Sequence, residues 1–97
     1  MEVIKIKYHK PKQIFEVALY TRKYDGEVVE LEGKGYKRQK CRMGGETVTF
    51  PQATGNWGEI CSCAFIRNGV KYLTNDCSVF IDTHCTISIT SPKRDLV

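Results

Sequence analysis

No stretch of this 97-residue chain approaches the roughly 18 consecutive apolar residues that cross a bilayer as a helix. Nor does the N-terminus carry the apolar segment of a secretory signal, because Ile4 and Ile6 alternate there with Lys5 and Lys7. Helical spacing is missing as well: no window of about 11 residues keeps apolar positions three and four apart between caps. Without an internal repeat or a heptad run, the chain makes no coiled-coil shaft by itself. Catalytic signatures are also lacking. There is no Gly-x-Ser-x-Gly elbow, no phosphate-cradling glycine loop and no paired-carboxylate pattern, and histidine occurs only at His9 and His84. These absences speak against an enzyme.

What is present is the composition of an ordinary globular chain, 41% hydrophobic and 27% charged, which argues against disorder. Its length suits one domain, expected over residues 1–91 with a polar tail at 92–97. Fifteen Lys and Arg against eleven Asp and Glu give a net charge of +4. Five of the basic residues fall between Lys34 and Arg42, with no acid among them. The five cysteines (Cys41, Cys61, Cys63, Cys77, Cys85) are an odd set, and no Asn-x-Ser/Thr sequon is present. An exported disulfide scaffold more often uses an even set, so synthesis in a reducing cytoplasm is expected.

The dominant period is two, the signature of strands. Ile4, Ile6 and Tyr8 alternate with Lys up to Pro11, and Phe15, Val17 and Leu19 share one face of Ile14 to Thr21. Tyr24-Asp25-Gly26-Glu27 marks a turn before a short strand at Val28 to Leu31. Further strands are expected at Tyr36 to Arg42, Thr47 to Phe50 and Glu59 to Ile66. Asn68-Gly69 reads as a hairpin into Val70 to Thr74, and Val79 to Ile81 and Cys85 to Thr90 complete the set. The expectation is an all-β antiparallel sandwich, jelly-roll or Ig-like, of about eight short strands.

Each candidate chemistry has a plainer competitor. Cys61, Cys63, Cys77, His84 and Cys85 supply soft ligands, but Cys61 and Cys63 lie two apart in an expected strand, pointing to one face, instead of on a Cys-x2-Cys knuckle. Packed thiols are therefore expected, with no metal and no cofactor. A cysteine nucleophile needs a neighbouring imidazole, and adjacent His84 and Cys85 would point to opposite faces of a strand. Tyr36, Arg38, Lys40 and Arg42 would share one strand face, either a partner-contact surface or a small basic nucleic-acid site. Trp57, the only tryptophan, sits in the loop Pro51 to Gly58 and is expected to plug the end of the fold.

Two segments together carry a resemblance. Gly35, Tyr36, Arg38 and Gln39 fill a Gly-Tyr-x-Arg-Gln pattern, while Phe50, Pro51, Ala53, Thr54, Trp57 and Gly58 fill Phe-Pro-x-Ala-Thr-x-x-Trp-Gly. A chain with both resembles a family of small tailed-bacteriophage virion structural proteins, often labelled tail fibre proteins. The likeness covers about Glu30 to Thr90, and departs from the family pattern at the Arg67-Asn68-Gly69 hairpin and in a shorter connection between the motifs. It implies a non-enzymatic part of the virion, made in the bacterial host cytoplasm, whose partners are other capsid or tail proteins. A capsid auxiliary (decoration) protein or a tail-associated accessory is the role implied, and nucleic-acid binding through Tyr36 to Arg42 is the alternative.

Overall fold

The computed structural model describes residues 13–93. The expected strand at Ile4, Ile6 and Tyr8 therefore lies outside the described residues, as does the tail beyond Lys93. The described chain has seven strands, all paired antiparallel, and no helix. They are β1 (Ile14–Arg22), β2 (Val28–Glu30), β3 (Gln39–Arg42), β4 (Thr47–Thr49), β5 (Gly58–Arg67), β6 (Val70–Ile81) and β7 (Ser88–Thr90). Five form one sheet in the order β2-β1-β5-β6, with β3 also on β1, and β4 and β7 form a second sheet of two.

β1 organises the larger sheet. One of its edges takes β3 along Ile14 to Val17 and β2 along Tyr20 to Arg22, and its other edge takes β5. Its odd positions Phe15, Val17 and Leu19 are fully buried and meet Phe65 and Cys63 of β5. Met43, Phe50, Trp57, Ile60, Ile81 and Ile87 complete this core, with Val48 of β4 and Ile89 of β7 packed against it. The small sheet is thus a partial second layer over the large one. Neither sheet closes into a barrel.

The other face of the large sheet is not simply wet. Ala18 and Tyr20 of β1 pair with Ala64 and Ser62 of β5, and Ala18, Tyr20, Ala64 and Ile66 make a second buried cluster. Lys71 holds its ammonium 4.3 Å from the centre of the Tyr20 ring, a cation–π contact over that cluster.

The expected hairpin is present, and several other expectations change in detail. Asn68 and Gly69 both take positive φ (52° and 76°), the two-residue turn that Asn-Gly favours, and they join β5 to β6. Beyond it, Val70 to Ile81 is one strand of 12 residues, not two short ones. Cys61 and Cys63 do not share a face. Tyr20 pairs with Ser62 and Thr21 with Ile60, so Cys61 is the extra residue of a β-bulge; it joins the outer cluster while Cys63 stays in the core. His84 and Cys85 precede β7 in a turn, with His84 at φ 70°. Pro92 is tied in place, its carbonyl accepting the amides of Gly44 (2.8 Å) and Gly45 (3.2 Å).

Candidate functional site

The expected strand Tyr36 to Arg42 begins only at Gln39. Gly33, Lys34 and Gly35 all take positive φ (70°, 52° and 85°), which lifts the chain off the sheet after β2. A Cβ on Gly35 would sit 3.1 Å from the Gln52 carbonyl oxygen and 3.2 Å from Thr54 Cγ2. Glycine is thus required there twice, by conformation and by the approach of the Pro51 to Gly58 loop. The two motif segments are neighbours in space.

Their junction turns on one carbonyl. Lys34 O accepts the Thr54 amide (2.9 Å) and the Trp57 indole Nε1–H (2.8 Å), while Lys34 Nζ donates to Asn56 O (2.8 Å). The Tyr36 ring stacks on Phe50 at 6.1 Å and 12°, and meets Trp57 edge-on at 6.0 Å and 90°. Phe50, Ala53 and Trp57 are buried. Ala53 is further held by its amide on Cys85 O (3.0 Å) and its carbonyl on the His84 amide (2.8 Å). Pro51 and Thr54 are exposed, and Gly58 has φ 75° where β5 begins.

Glu30 is the polar hub of this corner. Tyr36 Oη donates to Glu30 Oε2 (2.6 Å) and accepts the Leu19 amide (3.1 Å). Arg38 grips the same carboxylate through Nε (2.8 Å) and Nη2 (2.7 Å), a two-pronged pair. That Arg38 bond is the main force holding the Glu30 carboxyl below its ordinary range, partly opposed by burial and assisted by Tyr36. Burial, reinforced by the hydrogen bond to Glu30, pushes the Tyr36 phenol well above its ordinary value. Tyr36 therefore stays neutral and donating through the physiological range.

The partner-contact face expected from Tyr36, Arg38, Lys40 and Arg42 is accordingly not one strand face. Tyr36 turns inward between Phe50 and Trp57, and Arg38 is spent on Glu30. Lys40 and Arg42 are exposed on β3, where Lys40 pairs with Glu16 across the ladder. Gln39 donates to Lys37 O (2.9 Å). Glu30 itself was not singled out by sequence, although it stands just ahead of the basic run that includes its partner.

Beside the hub lies an open cleft of about 390 Å³. Lys23, Glu30, Glu32, Lys34, Asn56 and Trp57 are among its walls, which include no Cys, His or Ser. The cysteines are free. Burial raises the thiol pKa of Cys41, Cys63 and Cys77, which keeps them protonated and poorly nucleophilic. Among the described residues no three His, Cys, Asp or Glu side chains are grouped to hold a metal ion. Compared with protein-family models, curated proteins and solved structures, this chain matches none.

Proposed function

We propose that this chain is a non-enzymatic structural protein of a tailed-bacteriophage particle, a small capsid auxiliary protein or a tail-associated accessory. The observation that carries the reading is the distribution of apolar surface. Tyr24 is fully exposed at the tip of the β1–β2 hairpin, and Val70, Tyr72, Val79 and Phe80 stand exposed along β6. Large apolar side chains left outside while the motif aromatics Tyr36, Phe50 and Trp57 are spent on internal packing suit a part that works by surface complementarity. The two paired motifs supply the phage assignment. Their residues preserve the corner at Glu30, Tyr36 and Trp57, so they act through the shape they hold. In this reading the two sheets form an open sandwich of the jelly-roll or Ig-like kind, with partners among other virion proteins.

Quantitative mass spectrometry of purified particles tests the assignment. Hundreds of copies identify capsid decoration, and small symmetric multiples, roughly three to twelve, identify a tail position. Absence from the particle overturns it.

The nucleic-acid alternative rests on Lys40 and Arg42, the two cations of the expected face that remain exposed without a salt-bridge partner among the described residues. Two phosphate contacts would give single-strand affinity a salt slope of only about −1.4 on logarithmic axes. The double change Lys40→Ala, Arg42→Ala is expected to leave incorporation into particles unaltered. Salt-sensitive DNA binding that this variant abolishes would favour the alternative.

A further inference from the structure

We infer that β6 is a self-association edge: β6 of one copy pairs antiparallel with β6 of a second copy, about a two-fold axis at Asn75. The two five-stranded sheets then become one. β6 is the last strand in the order β2-β1-β5-β6, so among the described residues its outer edge has no strand partner. Twelve residues make an edge of roughly 40 Å. Proteins protect such edges with proline, charged side chains or bulges; β6 has no proline and two charged residues, Lys71 and Asp76, and between its two irregularities the run Leu73 to Asp76 is regular. Its apolar side chains Leu73 and Cys77 pack on the core while staying part-exposed, and Val79 and Tyr72 are more exposed still.

The register follows from self-complementarity. Leu73, Thr74, Asn75 and Asp76 pair residue for residue with Phe65, Ala64, Cys63 and Ser62, so side chains alternate cleanly through this run. Irregular pairing flanks it on both sides, near Tyr72 and again around Cys77 and Ser78. A two-fold pairing must centre on a residue of the regular run, because directly opposed residues share a face. Centring on Leu73 engages only Val70 to Asp76 and sets Val70 against a carboxylate, while centring on Asp76 sets a carboxylate against its own copy. Centring on Thr74 sets Leu73 against an amide. Centring on Asn75 sets Leu73 against Cys77 twice, Thr74 against Asp76 twice, and Asn75 against itself. Apolar meets apolar, a hydroxyl donor meets a carboxylate, and no like charges are opposed. Of the four centres in the run, this one engages as much of the strand as any, from Val70 to Phe80, with its inner pairs matched, and it closes as a dimer instead of propagating as a fibre.

This contact is a property of the purified chain, so its test is separate from the copy-number measurement on particles. Sedimentation velocity of the full chain over a concentration series is expected to show a dimer. Asn75→Lys places like charges on the axis and is expected to give a monomer with an unchanged far-UV spectrum, since Asn75 is exposed. In Asn75→Cys, oxidised glutathione is expected to link two copies at that position, with two thiols oxidised to one disulfide as the glutathione disulfide is reduced. Thr49→Cys on the exposed face of β4 is the control and is expected to stay unlinked at position 49. A chain that remains monomeric at all concentrations, with Asn75→Cys no more cross-linked than the control, overturns the inference. If deleting residues 1–12 then brings dimers out, the edge belongs to the chain's own N-terminal segment. Dimers that survive Asn75→Lys unchanged overturn it too, because they use another surface.

Discussion

Trp57→Ala is expected to lower stability by about 3–5 kcal/mol, a large part of what a domain of this size has to lose. Trp57 is only 4% exposed, and three separate losses coincide at it. The ring leaves a cavity in the core, Tyr36 loses its edge-on neighbour, and the Lys34 carbonyl keeps only the Thr54 amide of its two donors. Trp57→Phe refills much of the volume but restores no donor, so it should fall between the alanine variant and the parent. Urea unfolding followed by circular dichroism measures both. An unfolding free energy for Trp57→Ala within about 1 kcal/mol of the parent would show that the ring is no core plug.

Glu30→Ala is expected to cost on the order of 2–3 kcal/mol, even after discounting for the partial exposure of the carboxylate. Its removal strands the Arg38 guanidinium and leaves the half-buried Tyr36 hydroxyl without an acceptor for its proton. The pH dependence gives a more specific signature. In the folded chain the Glu30 carboxyl titrates below its ordinary value, chiefly because of Arg38. The unfolded chain therefore takes up this proton first as the pH falls. The stabilisation is fully present above the ordinary carboxylate pKa and drains away as the pH drops through the folded value.

Tyr36 has the opposite sense. Its folded pKa is raised, so its contribution is intact below pH 10 and declines at more alkaline pH as the unfolded phenol ionises. Stability measured against pH should lose the Glu30 part of its acid slope in Glu30→Ala and the Tyr36 part of its alkaline slope in Tyr36→Phe. An acid limb identical in parent and Glu30→Ala would sink the hub as described.

The elements that proved legible are those whose causes are local. Phe15, Val17 and Leu19 recur at every second position because they share one face of a strand, and all three are buried in the core. Asn68-Gly69 turns the chain because both residues tolerate left-handed backbone. The strand expected from Tyr36 starts only at Gln39 for a reason equally physical: period-two patterning cannot reveal that Gly33, Lys34 and Gly35 lift the segment off the sheet. The bulge at Cys61 is invisible for the same kind of reason. One extra residue reverses a face without changing the apolar composition around it.

By itself the sequence determined the β class, the hairpin between β5 and β6, the inward face of β1 and the presence of two motif segments, because backbone conformation and alternation are short-range properties. Tertiary structure alone decided that the motifs are two sides of one corner. The Lys34 carbonyl and the Tyr36 ring both bind residues of the Phe50 to Trp57 segment, and long-range pairing of that kind leaves no periodic trace in a chain. It also decided which charges remain available: of the five basic residues Arg38 pairs with Glu30 and Lys34 donates to Asn56 O, while Lys37, Lys40 and Arg42 stay exposed. Charge counts along a sequence cannot make that distinction, because an ion pair depends on distance in space.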